Sequence, residues 1–498
     1  MEATRHFVEV DGRRVFYRRM GRGPAVILIH GSPQSSRAVL AQAQACAAKG
    51  LCAIAPDTPG AGRSEPLQSP GPTSADYARA LAAFADRLGL GRLALYGFHT
   101  GAATACTFAS LFPARTAAVA CDGLPAWTEG ERASLLARYL PPFEPRWDGS
   151  HMTWAWSRME EQTVFFPWYR PTADARMAYT VTPREGVHAN CMDLLDAGDA
   201  YRAVYASAFT FRAQEWLPRL LAPALIASSL ADPLCAHLRR EPLRDRGAVF
   251  DTAAALLDAC AAHLAQHPGE EAPAPVGSEL RGFVPIGSEY IAWQRHGSPS
   301  AAGSDANSDS PARLRLQLHC AGGSGADFHP AAGPSLSIDL PGHGDSAEGW
   351  PQVPARLEDW ADAIETACTS LELRNVDVVG AGLGAMVGNE LLRRGKVNRC
   401  RELPAQIFDP AQASLGSLSL TPEWDGAHLV RAFRIARWER LFAPWNLRDP
   451  AHARRPHADL DPAAVHGRAV SLLKAHDRWL AGAAVEAAAS SRACPPAR

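Results

Sequence analysis

A chain of 498 residues exceeds what one hydrophobic core holds, so at least two domains are expected. With 47% hydrophobic and 20% charged residues it can build large cores. Its net charge of -2, without any Lys/Arg-rich block, argues against nucleic acid or anionic membranes as partners and for a small molecule or another protein.

The N-terminus enters a strand pattern with no apolar signal-peptide core, and no apolar run approaches the roughly 18 residues of a membrane span. Eleven scattered cysteines without C-x-x-C pairs or zinc spacing read as reduced thiols, so a cytoplasmic location without metal or other cofactor is expected.

In chain order, Val8 to Arg18 alternates around Asp11-Gly12 and predicts a hairpin. Pro24 to His30 reads as a buried strand, followed by the turn His30-Gly31-Ser32-Pro33. A helix over 38–49 leads to a second buried strand, Cys52 to Pro56, and then to Asp57-Thr-Pro-Gly-Ala-Gly-Arg-Ser64. A helix over 74–89 precedes the strand from Leu93, which runs into Gly97-Phe98-His99-Thr100-Gly101 and a helix of small residues. Strands alternating with helices predict a mostly parallel sheet covered on both faces.

These three motifs, in this order, resemble the α/β-hydrolase superfamily, in particular the capped branch of epoxide hydrolases, haloalkane dehalogenases and carbon-carbon bond hydrolases. The resemblance implies that 97–101 is the nucleophile elbow, G-x-S-x-G, with His99 in the place of the serine. It also implies that the backbone N-H groups of Ser32 and Thr100 form the oxyanion hole, in the loop that His30 opens. The insertion over 124–220 matches the family's cap. There Trp147-Asp-Gly-Ser-His151 and Phe165-Phe-Pro-Trp168-Tyr169 concentrate rings at the expected roof of a pocket, and Phe98 flanks its floor. Asp232, just after the strand from Pro223, matches the acid of the triad, with Asp122 as the other candidate and a turn cap before Pro233 as the competing reading. The family's triad histidine should follow the last strand. None occurs near Phe250-Asp251, and His263 and His267 lie in or beyond the closing helix.

A linker composition over 268–278 separates this first module, 1–267, from a second over 279–498. There the order of signals returns: His319-Cys-Ala-Gly-Gly-Ser324, Asp339-Leu-Pro-Gly-His-Gly-Asp-Ser346 and Gly380-Ala-Gly382-Leu-Gly384, with a polar insertion over 298–311 read as a disordered loop. The elbow centre follows the D-x-P-G aspartate by 42 residues in one half (57 to 99) and 43 in the other (339 to 382). Trp424-Asp-Gly-Ala-His428 repeats Trp147 to His151, and the proline of the following Pro-Trp pair comes 16 residues after the histidine in both. A tandem duplication is therefore expected, with a second cap over about 421–488 and a loose tail from Ala489. The copy carries Gly382 at its elbow and lacks the last two strands, which leaves an open edge for the first module or a second chain to cover.

Two functions follow. One is an enzyme acting on a small ester or related acyl substrate, or cleaving next to a carbonyl, with His99 as general base or nucleophile and Asp232 orienting it. The other is an inactive, hydrolase-derived binding or scaffold protein. An open cavity lined by His99 favours the first, and one filled by Phe98 and cap aromatics the second.

Overall fold

The computed structural model describes residues 2–178, 181–296, 313–328, 333–404, 408, 415–454 and 460–493. It divides into two compact units, one of Met1–Glu144 with Ala155–Ser278 and the other of Pro145–Trp154 with Glu279–Arg498. The polar insertion over 298–311 lies outside the described residues.

In the first unit eight strands, β1 (Thr4–Val10), β2 (Arg13–Met20), β3 (Ala25–Ile29), β4 (Cys52–Pro56), β5 (Leu93–Phe98), β6 (Thr116–Asp122), β7 (Ala224–Ser229) and β8 (Gly247–Phe250), form one sheet. Its order is β1-β2-β4-β3-β5-β6-β7-β8, antiparallel across the first three and parallel from β4 onward. The central strands are apolar on both faces, as in Ala-Val-Ile-Leu-Ile of β3, because helices cover both sides. Helices Ser74–Arg87 and Thr100–Leu111 contribute Leu81, Phe84, Cys106 and Phe108 to the core on one face, and Leu40–Ala48 and Ala253–Gln266 contribute Ala43, Cys46, Cys260 and Leu264 to the other. Thr73 and Asp76 start the first of these helices with a capping box, the Asp76 carboxylate accepting from Thr73 N at 2.9 Å.

The register sets Phe98 beside Asp122 and Asp122 beside Ala227. The loops after β5, β6 and β7 therefore leave the sheet side by side, where open parallel sheets hold their ligands. Between β6 and β7 come the cap helices, among them Glu129–Arg138, Arg184–Ala197 and Tyr201–Thr210. The stretch over 268–278 is stitched along the first unit: Ala25 N donates to Glu270 O at 2.8 Å, Glu270 N to Arg92 O at 2.6 Å, and Tyr17 Oη to Val276 O at 2.6 Å.

The second unit holds six strands, β9 (Arg281–Ile286), β10 (Glu289–His296), β11 (Arg315–Leu318), β12 (Ser335–Ile338), β13 (Asp377–Ala381) and β14 (Arg399–Leu403). Their order, β9-β10-β12-β11-β13-β14, is that of β1 to β6. Among the described residues the sheet ends at β14 with Arg399, Arg401 and Glu402 exposed, a charged edge that resists further strand pairing. Two expectations need correction here. Residues 145–154, placed by the sequence in the first cap, belong to the second unit, and 489–493 continue the helix Arg478–Ala493 instead of forming a loose tail. Alanine dominates the preceding residues 481–489, and its helix propensity carries the helix on through Ala-Ser-Ser-Arg-Ala.

Candidate active site

β5 runs into a turn whose central residue, His99, sits at φ 49° and ψ -103°. Non-glycine residues seldom enter this region, and holding one there costs about 1–3 kcal/mol. Its surroundings enforce it: His99 N donates to Asp122 O at 2.9 Å, and Ala103 N donates to His99 O at 3.1 Å. The flanking glycines are required, because a methyl on Gly97 would strike the main chain of Gly101, and one on Gly101 the main chain of Ile29. A third glycine, Gly123 at φ 67°, makes room for the imidazole, since a methyl there would come within 2.8 Å of His99 Nε2.

The imidazole reaches the acid directly. His99 Nε2 lies 2.7 Å from Asp232 Oδ2, and Asp232, buried at 5% exposure, also accepts Leu234 N on Oδ1 at 2.7 Å. Donation from Nε2 to the carboxylate assigns the tautomer and leaves the lone pair on Nδ1, which has no protein partner among the described residues. Burial by itself would pull the pKa of His99 down. The Asp232 charge and hydrogen bond, with Asp122 farther off, outweigh it and hold the imidazole above its ordinary value.

Of the two candidate carboxylates, Asp122 faces elsewhere. It accepts the Tyr96 hydroxyl at 2.8 Å, and burial raises its carboxyl to about 6. No histidine stands between β8 and the helix Ala253–Gln266, and His263, on that helix, faces Pro223 O at 3.4 Å.

Above the dyad lies a cavity of about 480 Å³. Ser32, Phe98, His99 and Thr100 line it from the sheet side, and Trp127, Tyr139, Phe166, Tyr205 and Phe209 from the cap. Phe98 stacks on the His99 ring with centroids 3.9 Å apart. Tyr205 Oη donates to Tyr139 Oη at 3.1 Å, which satisfies two hydroxyls inside an apolar wall. The buried Ser32 Oγ has no hydrogen-bond partner among the described residues.

Residues 24–145 match the family model of the alpha/beta hydrolase fold. The first unit thus carries the alpha/beta hydrolase fold. Comparison with curated proteins gives no match. Among solved structures, epoxide hydrolase A from Mycobacterium thermoresistibile is 20% identical over 52% of this chain and 98% of its own, with a TM-score of 0.42. An epoxide hydrolase from Vigna radiata is 18% identical over 49% of this chain and 84% of its own, at 0.38, and a thioesterase domain from the curacin biosynthetic pathway 20% identical over 53% and 99%, at 0.37.

Several residues singled out by the sequence lie away from the cavity. His30 is a buried latch between two loops, its Nδ1 2.7 Å from Gly31 O and its Nε2 accepting Thr58 N at 2.9 Å. Trp168 stands behind the wall, donating from Nε1 to Tyr139 O at 3.1 Å with the Arg158 guanidinium over its ring. Trp147 and His151 belong to the second unit, where Arg437 stacks on the indole and His151 Nε2 sits 3.2 Å from His466 Nδ1. Burial, then the His466 charge, lowers the pKa of His151 to about 4, so it stays neutral. Among the described residues no group of His, Cys, Asp and Glu could hold a metal ion. The sequence reading missed Trp127, Tyr139, Tyr205 and Phe209 as cavity walls, because a ring in a cap helix reads the same whether it faces core or cavity. Gly123 was legible only as the residue after a strand.

The second unit repeats the elbow backbone, with Gly382 at φ 49° and ψ -119°. Ala321 lies three residues beyond β11 as Ser32 does beyond β3, and Leu383 two beyond β13 as Thr100 does beyond β5. Glu486 Oε1 accepts both of these amides, Ala321 N at 2.9 Å and Leu383 N at 2.6 Å.

Proposed function

We propose that the first unit hydrolyses a small ester or related acyl compound, with His99 as general base and Asp232 as the group that orients and charges it. The reading rests on one observation: the imidazole at the elbow is hydrogen-bonded to a buried carboxylate at 2.7 Å and lines an open cavity. Nδ1 takes a proton from water as the water oxygen adds to the carbonyl carbon. The oxyanion so formed is met by the amides of Ser32 and Thr100, and the second unit, where one oxygen accepts both corresponding amides, supports that pairing. Collapse expels the leaving oxygen, which receives the proton from Nδ1, giving an acid and an alcohol. If Nδ1 instead attacks the carbon, the alkoxide leaves and takes a proton from water, and the hydroxide so formed cleaves the acyl-imidazole to release the acid and the free ring. The aromatic cap supplies apolar contact for the acyl group.

The two halves are read as a tandem duplication, supported by the shared strand order and the repeated cap motif. In this reading the second copy, with Gly382 at its elbow, has no catalytic side chain.

The test compares wild type, His99→Ala and His99→Ser on short and medium acyl p-nitrophenyl esters. Activity in wild type, cut at least 10²-fold in His99→Ala, is expected from the size of general-base effects. Equal, negligible rates for all three would overturn hydrolysis and leave the binding-protein reading.

A further inference from the structure

In the second unit the amides of Ala321 and Leu383 converge on one carboxylate oxygen, Glu486 Oε1, delivered by the helix Arg478–Ala493 from more than 100 residues along the chain. The approach depends on the residue at the elbow, since any β-carbon on Gly382 would collide with that oxygen. Arg468 and Glu439 form a buried bidentate pair at 2.8 Å in both bonds, and Arg468 Nη2 also donates to Ala321 O at 3.2 Å. Counted from the repeated His151 and His428, Glu439 corresponds to Gln162, and counted from Val187-His188, which recurs as Val465-His466, Arg468 corresponds to Asn190; both Gln162 and Asn190 line the cavity of the first unit.

We propose that the Ala321 and Leu383 amides form a carboxylate-binding site whose ligand is the chain's own Glu486, so that removing this side chain leaves a site for a small monocarboxylate. Two main-chain donors aimed at one point suit an oxygen carrying negative charge, and charge-assisted bonds of this kind are the strong ones. Glu486 is half-buried, where a carboxylate without partners would be costly; the two amides and the charge of Arg468 offset that penalty. Glu486 thereby ties the last helix across the second elbow and shuts that position to acyl compounds from outside. The site stands on the geometry of the second unit alone, whatever His99 does.

The experiment follows the Ala321 and Leu383 amide resonances in the full-length ¹⁵N-labelled protein, with acetate as probe and chloride at equal ionic strength as control. In Glu486→Ala both resonances should shift, and acetate, not chloride, should return them toward their wild-type positions in a saturable way. In wild type acetate should leave these two amides in place, even if it binds near Ser32. Glu486→Gln, which keeps an acceptor oxygen but not the charge, should move both amides in the same direction by a smaller amount. That variant decides the matter if Glu486→Ala does not fold. Amides unmoved in Glu486→Gln, or moved in Glu486→Ala but indifferent to acetate, would overturn the proposal.

Discussion

At the scale of the residue, everything turns on how one imidazole is held. His99 is strained in its backbone, stacked on Phe98, and hydrogen-bonded to Asp232 across a gap that Gly123 keeps clear. Gly123→Ala should therefore push the ring off Asp232 and burden a left-handed position, destabilising the protein by about 1–3 kcal/mol and lowering esterase activity. Denaturant unfolding and steady-state rates check both parts, and unchanged activity would show that the ring has another way to reach the acid. The ion pair also has a direction in pH. Because the folded pKa of His99 lies above the unfolded one, its stabilisation is complete below the ordinary imidazole value of about 6.5 and fades as pH rises through the raised value. The unfolding midpoint of wild type, relative to His99→Gln, should accordingly fall over that interval. A difference that stays flat would remove the charged pair from the account.

At the scale of the element, positions that match in sequence carry different side chains in the two units. Gln162 and Asn190 line an open cavity in the first unit, whereas Glu439 on Ala427–Leu441 and Arg468 on Pro462–Ala475 meet as a buried ion pair in the second. Removing one charge strands the other, so Arg468→Leu should cost about 3–5 kcal/mol, while Arg468→Leu with Glu439→Leu should recover most of that loss. Thermal unfolding of the two variants against wild type tests this, and a double variant no better than the single would mean the pair stabilises beyond its own desolvation.

At the scale of the whole molecule, the fold was readable because its signals are local. Gly97 and Gly101 are demanded by contacts within one turn and the strand beside it, and His30 and Asp57 recur as His319 and Asp339 because each satisfies main-chain donors of neighbouring loops. The mostly parallel first sheet and the choice of Asp232 as a candidate followed from the same motifs. What escaped depended on distance through space. Nothing in the stretch over 145–154 marks it as part of the second unit, and a lone Glu486 in an alanine-rich helix carries no sign that it crosses to an elbow. His30 illustrates the opposite error: a histidine beside a functional loop was read as a site residue when its two ring nitrogens serve that loop's structure. The exposed Arg399, Arg401 and Glu402 of β14 disfavour strand pairing at that edge.

The most direct test of the central claim is the pH dependence of kcat/KM for one activated ester in wild type and Asp232→Asn. A base that works only when unprotonated, and whose pKa Asp232 raises, predicts a rate in wild type that climbs through a single ionisation above about 6.5. In Asp232→Asn the midpoint should drop below that of wild type and the plateau should fall by about 10²-fold or more. An identical midpoint and plateau in the two proteins would contradict the account, because the carboxylate would then have no part in setting the charge or the position of His99.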